Sequence, residues 1–151
     1  MDIDQALHLA ASLCRRFEGC YLRPYLCPAG VPTIGYGSTY YEDGRKVSLK
    51  DPAITKQRAE DLLMHHLRAV YLRQTVALCP GADTPARLAA LVDFAYNLGS
   101  SNLKASTLRR RVNAGEWPDV PPQLLRWNKA AGKVLRGLTI RRQAEAVLVD
   151  A

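Results

Sequence analysis

A change of hydrophobic rhythm near residue 50 constrains this chain more than any other feature. Between residues 19 and 48, glycine and proline recur every few positions (Pro24, Pro28, Gly30, Pro32, Gly35, Gly37, Gly44), among tyrosines and threonines. Such punctuation breaks helices and favours short strands and turns. Thr33-Ile34-Gly35-Tyr36-Gly37 reads as a strand whose glycines allow a backbone or a ligand to come close. Asp43-Gly44, between Tyr40-Tyr41 and Lys46-Val47, reads as a hairpin turn. From about residue 55 the apolar residues fall at helical spacing instead. Ala59, Leu62, Leu63, Leu67 and Val70 follow a capping Thr55, and Leu88, Leu91, Val92 and Ala95 follow Thr84-Pro85. Further helices are expected over 106–113, around Leu124 to Trp127, and through Leu148 from a cap at Thr139, with Pro118 to Pro122 as a loop. At the start, Ile3, Ala6, Leu7, Ala10 and Leu13 mark an amphipathic helix, and Asp2 and Asp4 suit its N-terminal dipole.

The sum is an α+β, mainly α chain, expected to form one domain over residues 1–151. Its parts are a first helix over about 2–17, a β-hairpin-rich lobe over about 18–50 and a helical lobe over about 55–150. A cleft between two such lobes is a natural ligand site.

Charge narrows the partners. The 21 Lys and Arg against 14 Asp and Glu leave a formal +7, which draws in polyanions such as nucleic acid, anionic membrane or bacterial wall. No helix-turn-helix, zinc-finger or RNA-binding pattern is present, and the basic residues scatter through both halves, so no nucleic-acid partner is expected. Arg109-Arg110-Arg111 reads as a solvated helix face. No run approaches the ~20 apolar residues that span a bilayer, so no stable membrane insertion is expected. Met1 to Arg16 lacks the basic start, apolar run and cleavage site of a secretory signal, and the chain is expected in the cytoplasm until helped outward. Cys14, Cys20, Cys27 and Cys79 lack paired zinc-ligand spacing, and His65 and His66 diverge on a helix. No metal and no other cofactor is expected.

Glu18 stands where the first helical pattern breaks at Gly19. Its carboxylate lies at the unfavourable end of a helix dipole, a setting that suits a general acid. Eight residues separate Glu18 from Cys27, five separate Cys27 from Thr33, and Thr-Ile-Gly-Tyr-Gly closes the stretch. This resembles the phage-type lysozymes, or endolysins (glycoside hydrolase family 24), whose motif is Glu, eight residues, Asp or sometimes Cys, five residues, Thr. Leu91 to Gly99 resembles the family's central buried helix. Ser106-Thr107-Leu108, Arg126-Trp127-Asn128, Gly137-Leu138-Thr139 and Arg141-Arg142 follow in the family's order. The likeness runs from about Ile3 to Leu148.

The resemblance implies a lysozyme-like fold and hydrolysis of the β-1,4 bond between N-acetylmuramic acid and N-acetylglucosamine in peptidoglycan. Glu18 is then the acid that protonates the leaving oxygen, while Thr33 and Cys27 position or assist the water. Cys27 departs from the commoner Asp, and a free thiol with a pKa of about 8.5 is mostly protonated at neutral pH. Its role stays open between assisting water, attacking the sugar and packing as a small apolar residue. Tyr36 is a candidate to line the cleft against a sugar ring, with core packing as the alternative, and Asn97 is a candidate to bind an N-acetyl group. Trp117 and Trp127 read as packing residues. Nearby Cys14 and Cys20 suggest a disulfide switch at Cys27, against the simpler reading of unrelated core thiols. Two other activities compete. A lytic transglycosylase needs a single Glu, which the missing Asp favours and Thr33 disfavours; an inactive glycan-binding relative has no use for Glu18. The resemblance also implies a monomeric lysis enzyme of a phage or prophage, released through a membrane lesion made by a separate holin.

Overall fold

The computed structural model describes residues Met1–Ala151. Helix α1 (Ile3–Glu18) is capped by Asp2, whose carboxylate accepts from the Gln5 N–H at 2.9 Å. It ends at Gly19 with φ 69°, a left-handed value that costs a residue without Cβ nothing. Strands β1 (Tyr21–Leu26) and β2 (Pro32–Gly35) then form an antiparallel hairpin that sets Tyr21 opposite Gly35 and Tyr25 opposite Thr33. The second hairpin expected around Asp43-Gly44 is reduced to a turn with one bridge, Tyr40 to Lys46. Side chains tie this segment instead: the Tyr41 hydroxyl and the Ser48 N–H both donate to Asp51, at 2.7 and 2.9 Å.

Thr55 caps α2 (Lys56–His66) as the pattern predicts. The helix then widens into a π-helical segment, Leu67–Leu72, before tightening into α3 (Arg73–Leu78). The wide turn leaves Leu67 and Leu72 buried while Tyr71 looks into a hollow between the lobes. Helix α4 (Pro85–Leu98), capped by Thr84, is central: every residue from Leu88 to Ala95 is buried, and it packs on α1 and on the last helix.

Short α5 (Ser100–Ala105) and α6 (Thr107–Asn113) follow, with Ser106 as the cap of α6. The expected loop over Pro118 to Pro122 is a 3-10 turn (Trp117–Asp119) running into α7 (Val120–Leu125). Prolines are tolerated there because the first turn of a helix has no intrahelical N–H partner to lose. That helix therefore begins before Leu124 and stops short of Trp127. A small ribbon, β3 (Lys129–Ala130) and β4 (Lys133–Val134), leads into α8 (Arg136–Val149). Thr139 is not the cap of α8. The helix starts three residues earlier, and the Thr139 hydroxyl donates back to the Leu135 carbonyl at 3.3 Å.

The core has two parts. A large cluster fills the helical lobe and takes in Tyr36, while a small one of Ile34, Tyr41, Val47 and Leu62 lies under the β-rich part. The helical stretch from Lys56 to Leu78 bridges them. The architecture is the α+β, mainly helical one expected, with a groove between the lobes.

Candidate active site

Glu18 is the last residue of α1, its side chain 22% exposed. Arg141 of α8 donates from Nη1 to Glu18 Oε1 at 2.7 Å. The rest of that guanidinium is gripped by Asp93 of α4, Nε to Oδ2 at 2.9 Å and Nη2 to Oδ1 at 2.8 Å. Such a two-pronged contact fixes direction as well as charge. Both partners are buried, and buried charges persist only when paired and hydrogen-bonded. The Cys14 thiol also donates to Asp93, at 3.4 Å, and burial, with Asp93 adding to it, pushes that thiol well above its ordinary value.

Glu18 Oε2 lies against Gly37. A Cβ there would stand 2.7 Å from this oxygen, and Gly37 has φ 81°, so glycine meets two demands at once. Glu18 lines a hollow of about 350 Å³ with Phe17, Asn97, Leu135 and Arg141. Gly37 lines a second, of about 370 Å³, with Ser38, Tyr40, His66, Tyr71 and Tyr96. The carboxylate thus lines one hollow and lies against a glycine of the other. The Tyr71 and Tyr96 rings pack edge to face, centroids 5.1 Å apart, as an aromatic wall.

Cys27 closes the β1–β2 turn and is half-buried. The Val31 N–H aimed at its sulfur, helped by the Ala29 N–H, outweighs partial burial and holds the thiol below its ordinary value. The Thr33 side chain reaches the same sulfur. Thr33 is buried, and its hydroxyl donates to the Val31 carbonyl at 2.8 Å, so its oxygen keeps lone pairs to accept with. Tyr25, opposite Thr33, has its phenol pushed up by burial first, then by Tyr21, Glu18 and Cys27. Asn97 shares the hollow of Glu18; its Oδ1 accepts from Arg142 Nη2 at 2.9 Å, which leaves its amide N–H groups to donate.

Tyr36 does not line the groove, which corrects the expected sugar contact. It is 4% exposed, its ring joins the helical core and its hydroxyl donates to Glu60 at 2.9 Å. A carboxylate beneath the hairpin satisfies the phenol, so the ring can be buried. The tyrosines that line the hollow are Tyr40, Tyr41, Tyr71 and Tyr96, and the Tyr96 hydroxyl donates to the Tyr36 carbonyl. Their spacing in sequence shows only helix or turn positions. All four cysteines are free thiols. Cys14 is engaged with Asp93 in the interior, so of the two thiols named for a switch at Cys27 only Cys20 is exposed.

The phage lysozyme family model matches residues 15–145. This chain belongs to the phage lysozyme family. It is 35% identical over 153 residues to an endolysin of Bacillus phage B103, covering 98% of this chain and 54% of that one. It spans about half the length of the Bacillus phage endolysins it matches. It is also 33% identical over 129 residues to a SAR-endolysin of Bacteriophage PS119, covering 85% and 73% of the two chains. Among solved structures, the muramidase domain of SpmX from Asticaccaulis excentricus matches with a TM-score of 0.80 at 27% identity, covering 94% of this chain and 95% of that one.

Proposed function

We propose that this phage lysozyme relative acts over residues 1–151 as one lysozyme-like domain that hydrolyses the β-1,4 bond between N-acetylmuramic acid and N-acetylglucosamine in bacterial peptidoglycan. The observation that carries this reading is the setting of Glu18: one oxygen held by a buried guanidinium, the other unpartnered against Gly37, with Glu18 lining one hollow and Gly37 another. Glu18 Oε2 gives its proton to the glycosidic oxygen as the C–O bond breaks and positive charge grows on the sugar ring. Thr33 accepts a hydrogen bond from the incoming water. Cys27, held toward its thiolate by backbone N–H groups, helps take the water's proton while its hydroxyl oxygen bonds to the anomeric carbon. Asn97 donates to an N-acetyl carbonyl. The formal charge of +7 favours approach to the anionic wall.

No helix is long and apolar enough to cross a membrane. We propose further that passage from host cytoplasm to wall uses a lesion made by a separate holin.

One experiment tests these steps: turbidity loss of purified peptidoglycan, with mass analysis of the products, for the wild type, Glu18→Gln and Cys27→Ser. Lysis with saccharides that have gained one water, a loss of about 10²-fold or more in Glu18→Gln and a smaller loss in Cys27→Ser are expected. Products lacking that water would make the chain a lytic transglycosylase, and intact wall under reducing conditions would leave a glycan-binding module. Cells expressing the chain alone should stay whole until chloroform opens the membrane; lysis without it removes the holin step.

A further inference from the structure

Arg142 of α8 lies wholly in the interior, yet one of its arms ends at the groove. Its Nη2 donates both to Glu145 Oε1 at 2.5 Å and to Asn97 Oδ1 at 2.9 Å. Arg142 and Glu145 are each 0% exposed. Arg142 Nε and Glu145 Oε2 are the pair's polar atoms without a hydrogen bond, a donor on one side chain and an acceptor on the other. A guanidinium and a carboxylate in contact inside a protein keep their charges by facing each other. The guanidinium also lies over the Phe94 ring, 5.2 Å from its centroid, and Phe94 packs edge to face on Trp127. Ion pair and aromatic ring together fix where Nη2 stands.

The chemistry of arginine then decides how Asn97 stands. A guanidinium has five N–H donors and no acceptor, whereas a side-chain amide has a donating end and an accepting end of nearly equal shape. Only the Oδ1 end can face Arg142. Turned over, the amide would press its Nδ2 hydrogens against those of Nη2 and leave both unmatched. Asn97 is half-buried and lines the hollow of Glu18, among the apolar side chains of Phe17, Leu135 and Leu138. Its Nδ2 hydrogens make no hydrogen bond within the chain and are left to the hollow. A ligand acceptor finds a partner there, and a ligand donor meets hydrogens instead.

We propose that Arg142 is a positioning residue for specificity: by holding Oδ1 of Asn97 it commits that part of the hollow to hydrogen-bond acceptors, so the groove takes acetamido sugars and rejects the same sugars carrying a free ammonium. This rests on the proposed role of Asn97 toward an N-acetyl carbonyl. Removing the acetyl group exchanges a carbonyl oxygen for N–H donors, and Asn97 loses its match. Glu18 is aimed by Arg141, a separate guanidinium, so Arg142 bears on binding and discrimination rather than on bond breaking.

The test compares soluble peptidoglycan chains with the same chains after chemical de-N-acetylation. In Glu18→Gln, which leaves both whole, calorimetry should show the acetylated chains bound on the order of tenfold more tightly. Adding Arg142→Met and Glu145→Leu together replaces the ion pair by apolar side chains, an exchange often neutral for stability. Asn97 is then free to present either end, and the preference should fall to about threefold or less. With Glu18 restored, the same double change should raise KM for acetylated chains and leave kcat near its wild-type value. Equal affinity for both chains in Glu18→Gln, an undiminished preference in the double variant, or a fall in kcat with KM unchanged each overturns the proposal. If the double variant does not fold, Asn97→Asp decides. Asp keeps an oxygen for Arg142 and offers the hollow a second one, so the melting temperature should hold while the preference turns to the de-N-acetylated chains. An unchanged preference or an early melt overturns the proposal. If the wild type leaves peptidoglycan intact, the functional reading fails, while the calorimetric preference still decides the role of Arg142.

Discussion

At the scale of single residues, Gly37 is the most exacting position of the groove. Its φ of 81° is one that a residue with a Cβ adopts at a cost of roughly 1–2 kcal/mol. The added carbon would also press within 2.7 Å of Glu18 Oε2. Gly37→Ala should therefore lose stability of that order in a thermal melt. It should also lose on the order of 10²-fold in lytic rate, since small displacements of a reacting group are that costly. A Gly37→Ala enzyme that melts early but lyses at full rate would show that the carboxylate can move without consequence. Glu18 at a helix end and Cys27 and Thr33 across a hairpin were legible as positions in sequence because helix ends and short turns act over a few residues. Tyr36 was not, because an aromatic residue after a strand gives no sign of which side offers its hydroxyl a partner, and that partner, Glu60, lies on α2.

Among elements, the contact that matters most is the crossing of α1, α4 and α8 at Arg141. Arg141→Met fills similar volume but leaves Asp93 buried with the Cys14 thiol as its remaining neutral donor. Breaking one partner of a buried pair typically costs about 3–5 kcal/mol, because the other charge remains desolvated. Urea unfolding should show that loss, and adding Asp93→Asn to Arg141→Met should recover part of it. A loss below about 1 kcal/mol would mean that water reaches Asp93 and solvates it. Two of the long helices were readable from the sequence by their caps, Thr55 and Thr84, each of which accepts from an N–H three residues on. The six-residue α5 and the two-residue strands β3 and β4 were not, since they are too short to show a period. The π-helical widening also lay hidden, because it changes no residue type and only rotates the face that follows.

For the whole molecule, the two lobes should answer acid unequally. His66 Nε2 meets the Tyr40 carbonyl at 2.7 Å, and burial holds its pKa low. The folded state thus prefers the neutral ring, and stability falls as pH drops below the unfolded value of about 6.5. Asp51, held low by the Ser48 N–H and then the Tyr41 hydroxyl, and Glu42, held low by Arg58, contribute above the unfolded carboxylate value of about 4. That contribution is lost as pH falls through their lower folded values. All three groups bind the turn region after β2 or join it to α2. Hydrogen exchange at the Tyr41 and Val47 amides, which donate to Arg45 and Thr39, should therefore lose protection between about pH 6.5 and 3 before the amides of α4 do. Simultaneous loss in both would show that the lobes open as one unit. The sequence by itself determined where α2, α4 and α6 begin and how acid, thiol and hydroxyl are spaced, because caps, periodicity and turns act over a few residues. Only the tertiary structure decided that Arg141, 123 residues from Glu18, would hold it, and that Tyr96 would face the groove in place of Tyr36. A buried charge and a solvated one look alike in a sequence, and what separates them is the set of partners that packing brings around each.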